Sequence, residues 1–544
     1  MALRFFQQIL ELLVAAAAAG LDDSNTIITK AIRSPIAGIY RPCDIPFVGR
    51  GISTPMALRS SGRSVSWCRE IAIFLITLLI MLWPLLLNRA PFYSDDSGSY
   101  LRGGEFGLNT GLSMIELWWN SLFAAPSVMA TTVDPNAAVA HAISEAGGTR
   151  SVIYSVVTYL LRAPGISLIA LAIAQASAVT LSVALLRRLI DPQSVLWSSL
   201  AVGAGVALLT SASWYAAYVV PDIFAGVAIA GAVALTVLVD RARLAVRISL
   251  VSLIAFCITV HGSHLPIILA TLLAGAAANF WIRRPTIGAS LGRMLWSFSP
   301  IVLAVVTLLG TSYVAFGELS LAPKRYPIQL ARSVADGPGA WHLRDHCATE
   351  HYAICEVFGP IPPRQVGEFL WSENGVRNRA SSEQMERIRA EEGIIVRRAA
   401  LEYPVHQLRR SATNTFRQLF EFGPEDLIFG LALVDRKDPS LIEAHPDRPS
   451  FKAVGKALIY LSFFASLLLL VVFRKRLTNA ELAALSVAGV GLLANAAVCG
   501  ALSGVTDRYQ GRVAWVLPAL AFIILLRVWR ESRPLATTAK VTLA

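Results

Sequence analysis

Two adjacent carboxylates, Asp95 and Asp96, stand in the stretch PFYSDDSGSY, which follows a charge-free run from Ile71 to Leu87. Carboxylates at the mouth of an apolar segment are costly unless they meet water, a metal or a substrate. Beside an acceptor hydroxyl, one can act as a general base. Its neighbour can hold a divalent cation, Mg2+ or Mn2+, or orient the acceptor. The plain alternative is a solvated turn, because D-D-S-G is also an ordinary loop sequence.

Other residues with chemical potential lie at similar positions beside apolar runs. Asp222 ends YVVPD, where it reads either as a site carboxylate or as a helix cap. His261 and His264 flank the turn HGSH; two histidines alone do not specify a zinc site, so substrate contact and a plain turn both stand. Lys324 and Arg325 in APKRYP, and Arg508 and Tyr509 in DRYQGR, offer cations and an aromatic ring. Lysine and arginine bind phosphate through charge-assisted hydrogen bonds, arginine bidentately. Against that, Lys324 and Arg325 can simply snorkel, and Arg508 can pair with Asp507.

The elements that would position these groups are apolar. Of 544 residues only 15% are charged, against about 25% in a soluble domain, and the mean hydropathy is +0.57. The pattern predicts an all-α polytopic membrane protein of about ten transmembrane helices, with interfacial helices and a mainly helical outer block. The net charge of +12 does not indicate nucleic-acid binding, because the arginines cluster between apolar runs as the positive-inside rule requires.

Charge then sets the sides. Arg59, Arg63 and Arg69 precede the first span and place its start in the cytoplasm, which puts Asp95 and Asp96 outside. Residues 104–163 hold no uninterrupted apolar run of about 20 residues, and read as interfacial helices. Spans follow at 165–186, 195–215 and 222–239. The run from Ile248 to Trp281 is too long for one span and breaks at HGSHLP, and a further span covers 294–313. Three more, at 457–473, 482–499 and 513–526, complete the count and leave both termini cytoplasmic.

The chain therefore divides into a cytoplasmic N-terminal extension (1–69), a transmembrane core (70–317), an outer region (318–455), C-terminal transmembrane helices (456–530) and a cytoplasmic tail (531–544). The extension opens with LRFFQQILELLVAAAAAG, a poor signal peptide that reads better as an amphipathic extension. In the outer region Cys347 and Cys355 are either a disulfide, if the region is exported, or two free thiols.

This layout resembles the GT-C superfamily of integral membrane glycosyltransferases, nearest to bacterial enzymes dependent on polyprenyl-phosphate sugars. The likeness rests on PFYSDDSGSY after the first span, YVVPDIFAG, a large late outer block and the terminal DRYQGRVAWVLP. It implies transfer of a sugar from a polyprenyl-phosphate donor to an envelope lipid or glycan acceptor, at the periplasmic face of the bacterial inner membrane. Asp95 or Asp96 would be the base, and Arg508, with Lys324 or Arg325, would bind the donor phosphate. Two other readings remain: a transporter or flippase of a lipid-linked or anionic solute, and a non-catalytic subunit of an envelope-assembly complex. The transferase reading expects Asp95, Asp96 and Arg508 in one cavity; the subunit reading expects them apart and exposed.

Overall fold

Apolar runs of this length fold as helices because only internal hydrogen bonds can satisfy a backbone that has no water beside it. A computed structural model describes residues 61–123, 150–162, 167–238, 243–283, 287–433, 442–444, 446 and 448–532. The expectations for residues 1–60, for 124–149 and for the tail beyond 532 lie outside these. The chain divides into two compact units, 1–72 and 73–544. Of the first, only the opening of helix α1 (Ser61–Met81) falls among the described residues.

The second unit continues with α2 (Trp83–Asn88), β1 (Phe92–Tyr93), α3 (Asp95–Phe123), α4 (Val152–Leu160), α5 (Ile169–Ile190), α6 (Leu196–Leu209) and α7 (Ala212–Ala216). Then come α8 (Ile223–Val233), prolonged by a π-helical segment (Ala234–Leu238), α9 (Leu244–Thr259), α10 (His264–Arg283) and α11 (Ile287–Phe316). Six described helical stretches are long and apolar enough to cross a membrane: Ile169–Ile190, His264–Ile282, Gly292–Phe316, Pro449–Val472, Asn479–Leu502 and Asp507–Ser532. The protein is a multi-pass, all-α membrane protein.

The remaining expected spans are shorter or broken. Residues 195–215 form α6, which stops at Leu209 where Thr210 turns extended, followed by the short α7. The predicted break at HGSH is present, separating α9 from α10. Every residue of α8 is buried. A helix wrapped by other helices need not match the lipid thickness, because protein rather than hydrocarbon surrounds its irregular backbone. The same reasoning makes Asp507–Ser532 central, with 83% of its apolar window buried, and Gly292–Phe316 peripheral, with 17%. Val302 and Val306 on that peripheral helix are each 62% exposed, an apolar surface suited to lipid.

Instead of an outer loop, the acidic pair opens α3, a 29-residue helix that packs on α4. The approach is close at Gly104, where a Cβ would run into the backbone oxygen of Ser155 and come within 2.7 Å of Tyr159 Cβ. A larger residue there would push the two helices apart.

The block 318–455, expected on the outer side, is mainly helical among its described residues. It contains α12 (Ile328–Asp336), α13 (Pro338–Glu350), α14 (Ala353–Phe358), α15 (Val366–Trp371), α16 (Val376–Arg379), α17 (Ser382–Glu402) and α18 (Pro404–Phe420). These helices enclose their own core, in which Leu330, Leu343, Phe369, Leu370, Ile388 and Ile395 are buried. Cys347 and Cys355 are disulfide-bonded, with Cα atoms 5.7 Å apart. The hairpin β2 (Ile428–Leu433) and β3 (Ile442–Ala444) leads to α19 (Pro449–Val472), α20 (Asn479–Leu502), α21 (Asp507–Ala514) and α22 (Val516–Ser532).

Three of the basic clusters meet at one end of this unit. Arg530 Nη2 lies 2.6 Å from Asp191 Oδ1, just beyond Arg187 and Arg188. Arg527 is paired with Glu481 and donates to the backbone oxygen of Arg476. Arg508 stands at the other end of the same α21–α22 stretch, whose 26 residues rise about 39 Å if helical throughout.

Candidate functional site

The stretch carrying the acidic pair is held from both sides. β1 pairs antiparallel with β2, Phe92 opposite Phe429 and Tyr93 opposite Ile428. On its other side Phe92 N–H donates to Ala217 O at 2.8 Å, and Val219 N–H donates to Phe92 O at 3.0 Å. The Phe92 ring stacks on Trp214, with centroids 5.8 Å apart, and meets Phe429 edge-on at 5.0 Å. Ser94 then turns the chain into α3. Its hydroxyl accepts from Asp96 N–H at 3.0 Å, while Ser97 accepts from Ser94 N–H at 3.1 Å and donates to Val219 O at 3.2 Å. The pair thus occupies the first turn of a helix, where the macrodipole favours negative charge. The Asp95 side chain is outside the described part of the structure, and Asp96 is the described carboxylate of the pair.

Each oxygen of Asp96 accepts from a different guanidinium, Oδ1 from Arg150 and Oδ2 from Arg508 Nη1 at 3.1 Å. Arg508 turns its remaining edge to Asp222, with Nε and Nη2 at 3.1 and 2.8 Å from Oδ2. Asp222 Oδ1 accepts from Arg512 Nη1 at 3.1 Å. Arg512 is fixed further by Asn495 Oδ1, at 3.2 and 2.9 Å, and by Ser263 Oγ at 3.0 Å, which itself lies 2.8 Å from His261 Nδ1. Asp222 has no capping bond to its helix, so the cap reading is not what the structure shows.

The cluster grades from dry to wet. The side chains of Arg512 and Asp222 are 0% and 1% exposed, whereas those of Arg508, Asp96 and Arg150 are 16%, 20% and 25% exposed. A buried charge persists only when paired and hydrogen-bonded. Asp222 and Arg512 satisfy each other and form a rigid base for Arg508. The half-buried trio of Asp96, Arg150 and Arg508 is the part that a ligand can reach. Gly511 lets α21 come this close, since a Cβ there would strike the Tyr215 hydroxyl. That hydroxyl donates to Gly423 O at 2.9 Å.

The other predicted residues fall at varied distances from this centre. Tyr509 lies beside Arg512, whose guanidinium is 5.6 Å from the ring centroid, and its hydroxyl is 3.3 Å from Ser503 Oγ. His261 joins the cluster through Ser263. His264 is buried, its Nδ1 2.6 Å from Cys257 O, with its ring 5.1 Å from that of His261. Asp507 does not pair with Arg508 as the sequence-based alternative held; Lys456 Nζ takes it at 3.1 Å. Lys324 and Arg325 are not joined to Asp96. Lys324 binds Glu318 at 2.7 Å and Glu386 at 2.8 Å, and Arg325 binds Glu392 at 2.8 Å. Both nevertheless line a cleft shared with Arg150, Ser151 and Gly262. Burial alone would lower the Lys324 pKa, but the hydrogen bonds to Glu318 and Glu386 outweigh it and hold the ammonium above its ordinary value.

Among the described residues, the donor set around Asp96 does not fit a divalent cation. Both of its oxygens and both of those of Asp222 accept from arginine, and three guanidiniums face these two carboxylates. Such a set attracts an anion. The sequence reading missed Arg150 and gave no role to Arg512. Arg150 carried one signal, being a lone arginine away from the basic clusters. No protein-family profile, no curated protein and no solved structure matches the chain.

Proposed function

We propose that the chain is an integral membrane glycosyltransferase of the GT-C type. It would move a sugar from a polyprenyl-phosphate donor to an envelope lipid or glycan acceptor, at the periplasmic face of a bacterial inner membrane. The observation that carries this reading is the half-accessible Asp96 held between Arg150 and Arg508, with Arg508 braced by the buried Asp222–Arg512 pair. A carboxylate and two fixed guanidiniums at one exposed point supply a base and a phosphate clamp together.

In this mechanism the donor phosphate binds Arg150 and Arg508 in place of Asp96 and frees a carboxylate oxygen for the acceptor hydroxyl. Asp96 takes the hydroxyl proton as the acceptor oxygen attacks the anomeric carbon. The bond from that carbon to the phosphate oxygen breaks, and polyprenyl phosphate leaves with the electron pair. Attack opposite the leaving group inverts the anomeric centre. Arg508 stabilises the charge that grows on the phosphate, a contribution that counts only if the guanidinium is already in position. Asp222 is therefore a positioning residue.

The disulfide in the outer region supports placing that region in an oxidising compartment. The gathering of basic clusters at the opposite end supports a cytoplasmic side there. If α1 and the three shorter apolar stretches also cross, the count reaches ten and both termini lie in the cytoplasm. The subunit reading is disfavoured because Asp96 and Arg508 are joined rather than apart. The transporter reading draws support from the π segment at Ala234–Leu238, since such segments accompany functional sites. Its charges, however, stand at helix starts (Asp96, Asp222, Arg508) or within the short α21 (Arg512), and not in the middle of a long apolar helix.

The test is sugar transfer by the purified chain in membranes, using a panel of polyprenyl-phosphate sugars and extracted envelope lipids. Transfer by wild type and its loss in Asp96→Asn, with insertion intact, is the expected result. Movement of an intact lipid-linked solute without glycosidic bond formation would favour the transporter.

A further inference from the structure

The outer region holds a second cluster that the transferase reading does not use. His342 and His346 are four apart on α13, so they share one helix face, and their rings lie 4.5 Å apart. Opposite them stands Glu402, the last residue of α17. His342 Nδ1 is 2.9 Å from Glu402 Oε2, and His346 Nε2 is 3.0 Å from Oε1. These ligand atoms all lie within 4.8 Å of one another.

We infer that His342, His346 and Glu402 form a binding site for a divalent transition metal of the zinc class. Two nitrogens and a carboxylate oxygen are the donor set of a tetrahedral zinc site that keeps one position for water. With metal–ligand bonds of about 2.0–2.2 Å, neighbouring ligand atoms on a tetrahedral ion stand about 3.3–3.5 Å apart. The imidazole–carboxylate gaps are 2.9 and 3.0 Å, to different oxygens of Glu402, and one ligand atom from each residue lies within 4.8 Å of the others, so the three stand near enough to close on one ion. Among the described residues the Glu402 carboxylate meets only these two imidazoles, so with neutral histidines the cluster carries one negative charge.

The supporting shell is also present. His342 is 1% exposed, and its far nitrogen, Nε2, lies 3.2 Å from the Tyr352 hydroxyl. That hydroxyl accepts from Arg398 Nη1 at 2.9 Å. An oxygen behind the remote imidazole nitrogen fixes ring orientation and tautomer, the support that ligating histidines usually have. The disulfide joins the residue after His346 to Cys355, and so closes the loop that carries Tyr352. A metal here ties α13 to α17 and stabilises the outer region, whatever chemistry occurs at Asp96.

The test uses the full chain in detergent, stripped with chelator, loaded with zinc chloride or cobalt chloride and desalted. Wild type should retain one more metal equivalent than His346→Gln or Glu402→Gln, and zinc should raise its Tm but not theirs. Bound cobalt should give the intense visible bands of a tetrahedral site in wild type alone. Since both substituted side chains are partly exposed, the variants should keep the metal-free Tm. X-ray absorption of zinc-loaded wild type needs no variant and should show nitrogen and oxygen neighbours near 2.0–2.1 Å, two of them imidazoles. Equal metal retention in all three chains, or a zinc shell without two imidazoles, would overturn the inference.

Discussion

Asp96 Oδ2 accepts from Arg508 Nη1 at 3.1 Å across 412 positions of sequence. The contact joins the start of α3 to the start of α21. Because Arg508 also grips Asp222, a change at any of these three residues alters the charge balance felt by the others.

Arg508 makes its contacts through two edges of one plane, Nη1 to Asp96 and the Nε–Nη2 edge to Asp222. Lysine keeps the charge but cannot bridge both carboxylates as a planar fork does. In a transfer assay, Arg508→Lys should lower kcat/KM about 10–100-fold, or about 1.4–2.8 kcal/mol of transition-state stabilisation. Wild-type kinetics in that variant would remove Arg508 from the site.

Replacing Asp222 by Ala leaves Arg512 buried without its carboxylate partner. Breaking a buried pair from one side costs about 3–5 kcal/mol, whereas removing both charges costs much less. Thermal unfolding in detergent should therefore show a large loss in Asp222→Ala and in Arg512→Gln alone, and substantial recovery in Asp222→Ala/Arg512→Gln. If the double variant is as unstable as the sum of the two single variants, the pair is not coupled.

The Cys347–Cys355 bond closes a short loop, with a sequence separation of 8. Loop-closure entropy for so few residues amounts to about 2–3 kcal/mol. Cys347→Ser/Cys355→Ser should lower the thermal stability of the chain to the value that wild type shows in reductant. Reductant should have no further effect on the double variant.

Lys324 and Glu386 make a pH-dependent contribution with a definite sign. Burial alone would raise the Glu386 pKa, but the hydrogen bond from Lys324 and the charge of Arg389 outweigh it and hold the carboxyl below its ordinary 4.5. A depressed acid stabilises the fold above its unfolded pKa, and that stability is lost as pH falls through the folded value. The raised Lys324 pKa is the mirror case: its stability is present below 10.5 and lost as pH rises through the folded value. The pair thus helps at neutral pH. Its worth is below about 1 kcal/mol because Glu386 is 53% exposed. Glu386→Gln should be slightly less stable than wild type at pH 7, and the gap should close on acidification.

Apolar length alone located the long helices, because a run such as Ile169–Ile190 has few ways to bury itself other than as a helix. The break at HGSH was legible too, since Gly262 and Pro266 interrupt a run too long for one span. Span lengths in the centre were not legible, because α8 is surrounded by protein and hydropathy cannot distinguish a protein-buried helix from a lipid-facing one. Asp96 and Arg508 were expected in one cavity only on the transferase reading, and Asp222 only on the same face. Their direct pairing depends on the packing of α8 against α21 and on the close approach at Gly511, which no local pattern records. Arg150 was overlooked because an arginine beside small residues has no periodicity to mark it. Lys324 and Arg325 drew attention as cations, while their partners Glu386 and Glu392 lie more than 60 residues away in sequence.

The central claim is that Asp96 receives the acceptor proton during sugar transfer. The most direct measurement is the initial rate of glycosyl transfer from a verified polyprenyl-phosphate donor, comparing wild type with Asp96→Asn in membranes containing equal amounts of inserted protein. The account predicts transfer by wild type and a fall of about 10²–10⁴-fold in the variant, the range expected for loss of a general base. Full activity of Asp96→Asn, or no transfer by wild type from any donor, would contradict it.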